Sequence, residues 1–312
     1  MNPVLVEVER SGFVESRHRG SVIALDADGS PALSLGSPDE PVFPRSANKP
    51  LQAVAMVRHG LGLENELLAL AAASHSGEDF HVEGAQKILA GAGLTADALR
   101  CPAQWPLDIE LAVVREKSRL RMNCSGKHAA MLATCVVNGW PTGSYLSPEH
   151  PLQVAVRETV EELTGEQVVA TGVDGCGAPL FAFGLTGLSR AFRALVLADP
   201  GTPERRVADA MRAYPEWTSG TDREERRLMD AVPGLLVKCG AEGIDAFALA
   251  DGRAGAIKID DGAMRARTPA TVATLRALGV DGALGELSTL PVHGGDSVVG
   301  EIRAVGFQHP GS

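Results

Sequence analysis

Ser21-Val-Ile-Ala-Leu-Asp26, followed by Asp28-Gly29, reads as an apolar strand entering a tight turn. Upstream, Val4, Val6 and Val8 alternate with Leu5, Glu7 and Glu9, so the chain opens on a β-hairpin or meander. Strand signals return near the other end. Gly234-Leu-Leu-Val-Lys238, Ala246-Phe-Ala-Leu-Ala250 and Ala256-Ile-Lys-Ile-Asp260 are apolar runs punctuated by Asp251-Gly252 and Asp261-Gly262. A helix over 269–278 and a last strand over 298–306 follow. In between, the pattern is helical, with helices expected over 50–60, 64–72, 80–92, 107–118, 126–137, 151–163 and 203–213, separated by Pro and Gly clusters. Strands at both termini around a helical middle predict an α/β (α+β) fold, in which one antiparallel sheet from both ends packs with a large helical lobe. The 312 residues are expected to form a single domain, with a sheet lobe over about 1–45 and 234–312 and a helical lobe over about 46–233.

A net charge of -10, with arginines scattered among 39 acidic residues, repels phosphate backbones and excludes nucleic acid as a partner. The N-terminus has no cationic start leading into an apolar run, and no stretch reaches the roughly 18 apolar residues of a membrane span. No membrane partner and a cytoplasmic location are therefore expected. Five cysteines, an odd number in a chain without an export signal, argue against a disulfide framework and leave core thiols, metal ligands or catalytic groups. Only six lysines occur, at 49, 87, 117, 127, 238 and 258. Arginine serves elsewhere for charge, so each lysine is a candidate for a role that needs a deprotonatable amine.

Ser46-Ala-Asn-Lys49 is an S-x-x-K motif, whose spacing places hydroxyl and amine on one face of a helix's first turn. Pro50 fits a helix starting there, and Arg45 and the helix dipole favour a neutral lysine that takes the serine proton. Serine enzymes of the penicillin-binding type pair this motif with a downstream S-D-N-like element and a K-T-G-like strand. Ser74-His-Ser76 and Lys238-Cys-Gly240 stand in that order, although Ser76 replaces Asn and Cys239 replaces Thr. A second cluster, Asn123-Cys-Ser-Gly-Lys-His128 with Val173-Asp-Gly-Cys-Gly177, offers two thiols and a histidine beside glycine turns. It suits either zinc or buried unliganded cysteine, since C-x-x-C pairs are absent. Gly126-Lys127 is not a phosphate loop, because Arg121 stands where the first glycine is needed and His128 replaces Ser or Thr. His59, His81, His150 and His293 read as surface or core residues.

Pro44-Arg-Ser-Ala-Asn-Lys-Pro50, Ala73-Ser-His-Ser-Gly-Glu78, Asn123-Cys-Ser-Gly-Lys-His-Ala129, Glu149-His-Pro-Leu-Gln153, Asp174-Gly-Cys176 and Lys238-Cys-Gly-Ala-Glu-Gly243 together resemble the asparaginase II family, the rhizobial type. The resemblance implies a fold like that of serine β-lactamases, penicillin-binding proteins and glutaminases, and hydrolysis of L-asparagine to L-aspartate and ammonia. It further implies two serine/lysine pairs, Ser46 with Lys49 and Ser74 with Lys238, leaving open which serine attacks. Arg45, His128 and Asp174 would serve substrate binding, a zinc ion would be held by Cys124, Lys127 and Cys176, and the assembly would be a homodimer. Two rivals stay open: a β-lactamase or peptidase-like acyl-enzyme hydrolase, and a non-catalytic protein that binds zinc or an amino acid.

Overall fold

The computed structural model describes residues 1–307, and the last five positions of the expected sheet lobe, 308–312, lie outside the described residues. Ten strands follow in chain order: β1 (Val4–Arg10), β2 (Phe13–Leu25), β3 (Pro31–Leu35), β4 (Ala170–Val173), β5 (Pro179–Ala182), β6 (Leu236–Gly240), β7 (Ile244–Ala248), β8 (Ala254–Ile259), β9 (Thr289–Gly294) and β10 (Ser297–Ala304). The chain divides into two compact units. One comprises Met1–Ala47, Phe183–Leu197 and residues from Leu228 onward; the other comprises Asn48–Ala182 and Ala198–Arg227.

The first unit holds an eight-stranded antiparallel sheet in the order β6-β7-β8-β2-β1-β10-β9, with β3 paired to β2, so both termini contribute to it. The fold is α+β with the sheet that the terminal strand signals predict. Strand β2 is long enough to serve three neighbours: Phe13–Arg19 pairs with β1, whereas Gly20–Leu25 pairs with β8 in the register Gly20 to Ile259 through Leu25 to Ala254, and Val22–Leu25 also pairs with β3. Gly20 sits at this handover, where an added Cβ would lie 2.2 Å from the Lys258 carbonyl oxygen and 2.8 Å from Leu5 Cδ1. By strand alternation Val22 and Ala24 face one core, which also takes Val237, Phe247 and Ile257 and is covered by Ala266, Ala270, Val272 and Leu275 of the helix Met264–Ala277. The helix Leu185–Leu197 packs on β7 and β8, and all residues of β6 and β7 are buried. Sequence periodicity places the helix start near Pro269, yet it begins at Met264 with Pro269 inside. This brings Arg267 to Asp245 at 3.2 Å, both 2% exposed, and Thr271 Oγ1 donates to Asp245 at 2.7 Å. A buried carboxylate needs such partners.

The second unit is helical apart from the β4–β5 hairpin, which the sequence reading leaves unassigned. Its centre holds two helices, Lys49–Arg58 and Ser125–Val137; every residue from Lys49 to Val57 is buried, as are Ser125 to Cys135. A helix buried on all sides belongs in a core. Gly126 permits the close approach of the helix Asn65–Ala71: a Cβ there would lie 2.6 Å from the Leu70 carbonyl oxygen. Alongside, His75 stacks on His81 with ring centroids 4.8 Å apart, and Phe80 meets Trp217 edge-on at 4.9 Å. Among the described residues, no helix is long and apolar enough to cross a membrane.

Gly20→Ala is expected to lower the unfolding free energy by about 2 kcal/mol or more, because the backbone oxygen it meets cannot move aside cheaply. Gly91→Ala, at a helix end with nothing within 4 Å, should be neutral or slightly stabilising, with urea unfolding as the measurement for both. A pH effect follows from His81, whose pKa burial pushes down to about 4. Below the ordinary histidine value near 6.5 the unfolded chain takes up a proton that the folded one refuses, so stability falls as pH drops from about 6.5 to 4. That ring alone accounts for on the order of 3 kcal/mol, and in His81→Phe the decline over this window should be shallower by about that amount.

Candidate active site

Three segments of the helical unit converge on one amine. Lys49 opens the helix Lys49–Arg58 just after the 3-10 turn Arg45–Asn48, and only 1% of it is exposed. Its Nζ lies 2.6 Å from the Ala73 carbonyl oxygen, 2.8 Å from Ser74 Oγ and 2.9 Å from Cys124 Sγ. Ser74 belongs to the extended stretch that leaves the helix Asn65–Ala71. Backbone bonds pin that stretch from two directions: Ser74 N–H donates to Thr218 O at 3.1 Å, His75 N–H to Asn123 O at 3.0 Å and Ser76 N–H to Ser219 O at 2.7 Å. These three N–H groups are therefore engaged and do not serve as oxyanion donors. Glu78 adds a clasp, accepting from Ser76 Oγ at 2.5 Å and from Thr221 N–H and Oγ1 at 2.9 and 2.6 Å.

Cys124 caps the helix Ser125–Val137, whose first turn also presents Lys127 and His128. Cys176 comes from the tip of the β4–β5 hairpin, where Gly177 takes φ +88° and its N–H closes on Asp174 O at 2.8 Å. Lys127 Nζ is 3.3 Å from Cys176 Sγ, and Cys176 Sγ is 3.7 Å from Asp174 Oδ2. The two thiols hydrogen bond to each other and share one proton. Donation from Cys124, then Lys127 and His128, hold Cys176 far below the ordinary thiol value, while that same bond and burial push Cys124 up. Burial works against a charged Lys127, but Cys176, Cys124 and Asp174 outweigh it and hold its pKa above the usual lysine value. Burial depresses His128, whose Nδ1 pairs with Tyr145 Oη at 2.7 Å and whose ring also hydrogen bonds to Cys176.

Among the described residues, no three His, Cys, Asp or Glu side chains come together as a metal-ligand group. The set Cys124, Lys127 and Cys176 reaches three donors only through the lysine. Two sulfurs in hydrogen-bond contact, an amine beside one of them and a buried imidazole on the same sulfur form a donor set that suits zinc, provided Lys127 sheds its proton.

The remaining sequence candidates belong to the sheet unit. Lys238 is fully buried on β6 and donates to Cys239 O at 3.0 Å. Two residues later, a Cβ on Gly240 would lie 2.5 Å from Pro44 O and 3.2 Å from Ala47 N, so the end of β6 abuts the turn that carries Ser46. Arg45, in that turn, has the left-handed φ of +51° and a guanidinium 3.8 Å from Glu242. Motif spacing pairs Lys49 with Ser46, and the family resemblance pairs Ser74 with Lys238; the Lys49–Ser74 contact spans 25 positions and no local pattern announces it. Sequence reading also gives no role to Ser125 within its Asn123–His128 motif, to Tyr145 or the Thr218–Thr221 strap, which carry no motif, or to His75 beyond its place between two serines.

A family model described as L-asparaginase II matches residues 6–304. No curated protein sequence matches the chain. Among solved structures, Mglu in its native form aligns at 13% identity and TM-score 0.46 over 89% of this chain, which covers 66% of Mglu's length, just under two thirds. A beta-lactamase from Mycobacterium bovis aligns at 14% identity and TM-score 0.46, over 84% of this chain and 95% of that one. EstCE1, a hydrolase with promiscuous acyltransferase activity, aligns at 12% identity and TM-score 0.42, over 88% and 92%. With the family match running through nearly every residue of both units, the chain belongs to the L-asparaginase II family of amidohydrolases.

Proposed function

We propose that this chain hydrolyses L-asparagine to L-aspartate and ammonia, with Ser74 as nucleophile and Lys49 as its base. The observation that supports this reading is the environment of Lys49 Nζ. A neutral amine has two N–H donors and one lone pair. In that form the Ala73 carbonyl oxygen and Cys124 Sγ suit the two donors, and the Ser74 hydroxyl at 2.8 Å suits the lone pair.

In this mechanism Ser74 Oγ loses its proton to Lys49 as it attacks the side-chain amide carbon of the substrate. The lysine then passes that proton to the departing nitrogen, ammonia leaves, and an aspartyl ester remains on Ser74. Water, deprotonated by the same amine, cleaves the ester and releases aspartate. Ser46 and Lys238 are the further serine and lysine that the family resemblance implies, and Arg45, His128 and Asp174 orient the substrate; these assignments rest on that resemblance. Cys124, Lys127 and Cys176 hold a zinc ion, which when bound orients the substrate's α-amino and α-carboxylate groups. The resemblance also carries the expectation of a homodimer, for which a light-scattering mass of two chains is the check.

Ser74→Ala is expected to lower kcat/KM for ammonia release from L-asparagine by roughly a thousandfold or more, and Lys49→Arg to do the same, since a guanidinium cannot take the proton. Near wild-type turnover by either variant contradicts the assignment. Zinc affinity, measured by competition with a chromophoric chelator, should weaken as pH falls from 8 to 6, because the Lys127 proton and the shared thiol proton must be released for binding. Affinity that is flat over this range contradicts lysine ligation.

A further inference from the structure

Lys49, Ser74, His75, Ser125 and Cys124 close a ring. Two of its links are peptide bonds, Ser74 to His75 and Cys124 to Ser125. Two are the contacts of Lys49 with Ser74 Oγ at 2.8 Å and with Cys124 Sγ at 2.9 Å. The last is His75 Nε2 to Ser125 Oγ at 2.9 Å, with the bond from His75 N–H to Asn123 O running beside it. No member is more than 5% exposed.

A hydroxyl and a base from segments 25 positions apart must be held to within about 0.5 Å for proton transfer. A closed ring does this better than a pendant contact, because no one link lengthens unless another gives. The imidazole is suited to holding rather than to proton transfer. Burial holds its pKa well below the ordinary histidine value. Its Nδ1 has no hydrogen-bond partner, one face is covered by His81, and its side-chain bond is spent on Ser125.

We propose that His75 is a positioning residue for the hydrolysis, acting through Ser125 to hold Ser74 against Lys49. This rests on the reading of Ser74 as the nucleophile. Steady-state ammonia release from L-asparagine, with circular dichroism as the check on folding, tests it in Ser125→Ala, His75→Gln, His75→Asn and the double variant Ser125→Ala/His75→Asn. A glutamine amide nitrogen takes the place of Nε2, whereas an asparagine amide reaches only the place of Nδ1.

Ser125→Ala and His75→Asn are expected to lower kcat about 10- to 100-fold with KM changed less than about twofold. The double variant should fall no further than the worse single one, since both remove the same bond, and His75→Gln should recover to within about threefold of wild type. The proposal is overturned if Ser125→Ala keeps kcat within about twofold of wild type, if the two losses multiply, or if Gln is no better than Asn. Should the His75 variants fail to fold, the kcat and KM of Ser125→Ala decide alone. Ser74→Ala separates the two levels: an active Ser74→Ala sinks the parent reading, whereas an inactive Ser74→Ala beside wild-type Ser125→Ala and His75→Asn sinks only the role of His75.

Discussion

An amine sealed from water, within hydrogen-bonding distance of a carbonyl oxygen, a hydroxyl and a sulfur, constrains everything built around it. A flexible lysine has rotamer entropy to lose, and here the loss is taken on folding rather than on substrate binding. Several features of the helical unit serve that end. The helix Lys49–Arg58 is buried from Lys49 to Val57, so its first residue cannot drift. Gly126 lets two helices approach closely enough to bring Cys124 to the amine, and Thr218 and Ser219 hold the serine stretch by its backbone.

Two buried lysines of this unit stand in opposite surroundings. Lys127 faces the more acidic of two sulfurs and a nearby carboxylate, which hold it charged. Lys49 faces the other sulfur, which keeps its proton, together with two neutral oxygens. One shared thiol proton therefore separates an ammonium locus from the amine proposed as a base. Cys124 touches both loci, so a ligand of the proposed metal site is also a contact of the proposed base, and loading one has consequences for the other.

Much of the fold was legible where burial is continuous: the apolar runs of β2, β6 and β8 announce strands covered on both faces, and the glycine turns between them set the hairpins. The helix Leu185–Leu197 escaped although Leu185, Leu188, Phe192 and Leu195 are spaced for one face, because Thr186, Gly187 and Ser189 interrupt the early turns. The β4–β5 hairpin escaped because glycines and exposed residues dilute its pattern. In the site, the lysines and thiols stood out by scarcity and by glycine neighbours. Their pairing did not, since Lys49 meets Ser74 and Cys124 across 25 and 75 positions, and spacing encodes only neighbours within a turn. The same limit hid Ser125, whose part depends on a histidine 50 positions away.

The most direct measurement is to trap the covalent intermediate. Rapid acid quench during L-asparagine turnover, followed by peptide mapping by mass spectrometry, should find an aspartyl ester on the peptide that carries Ser74. An ester on Ser46, or turnover with no esterified serine, contradicts the account.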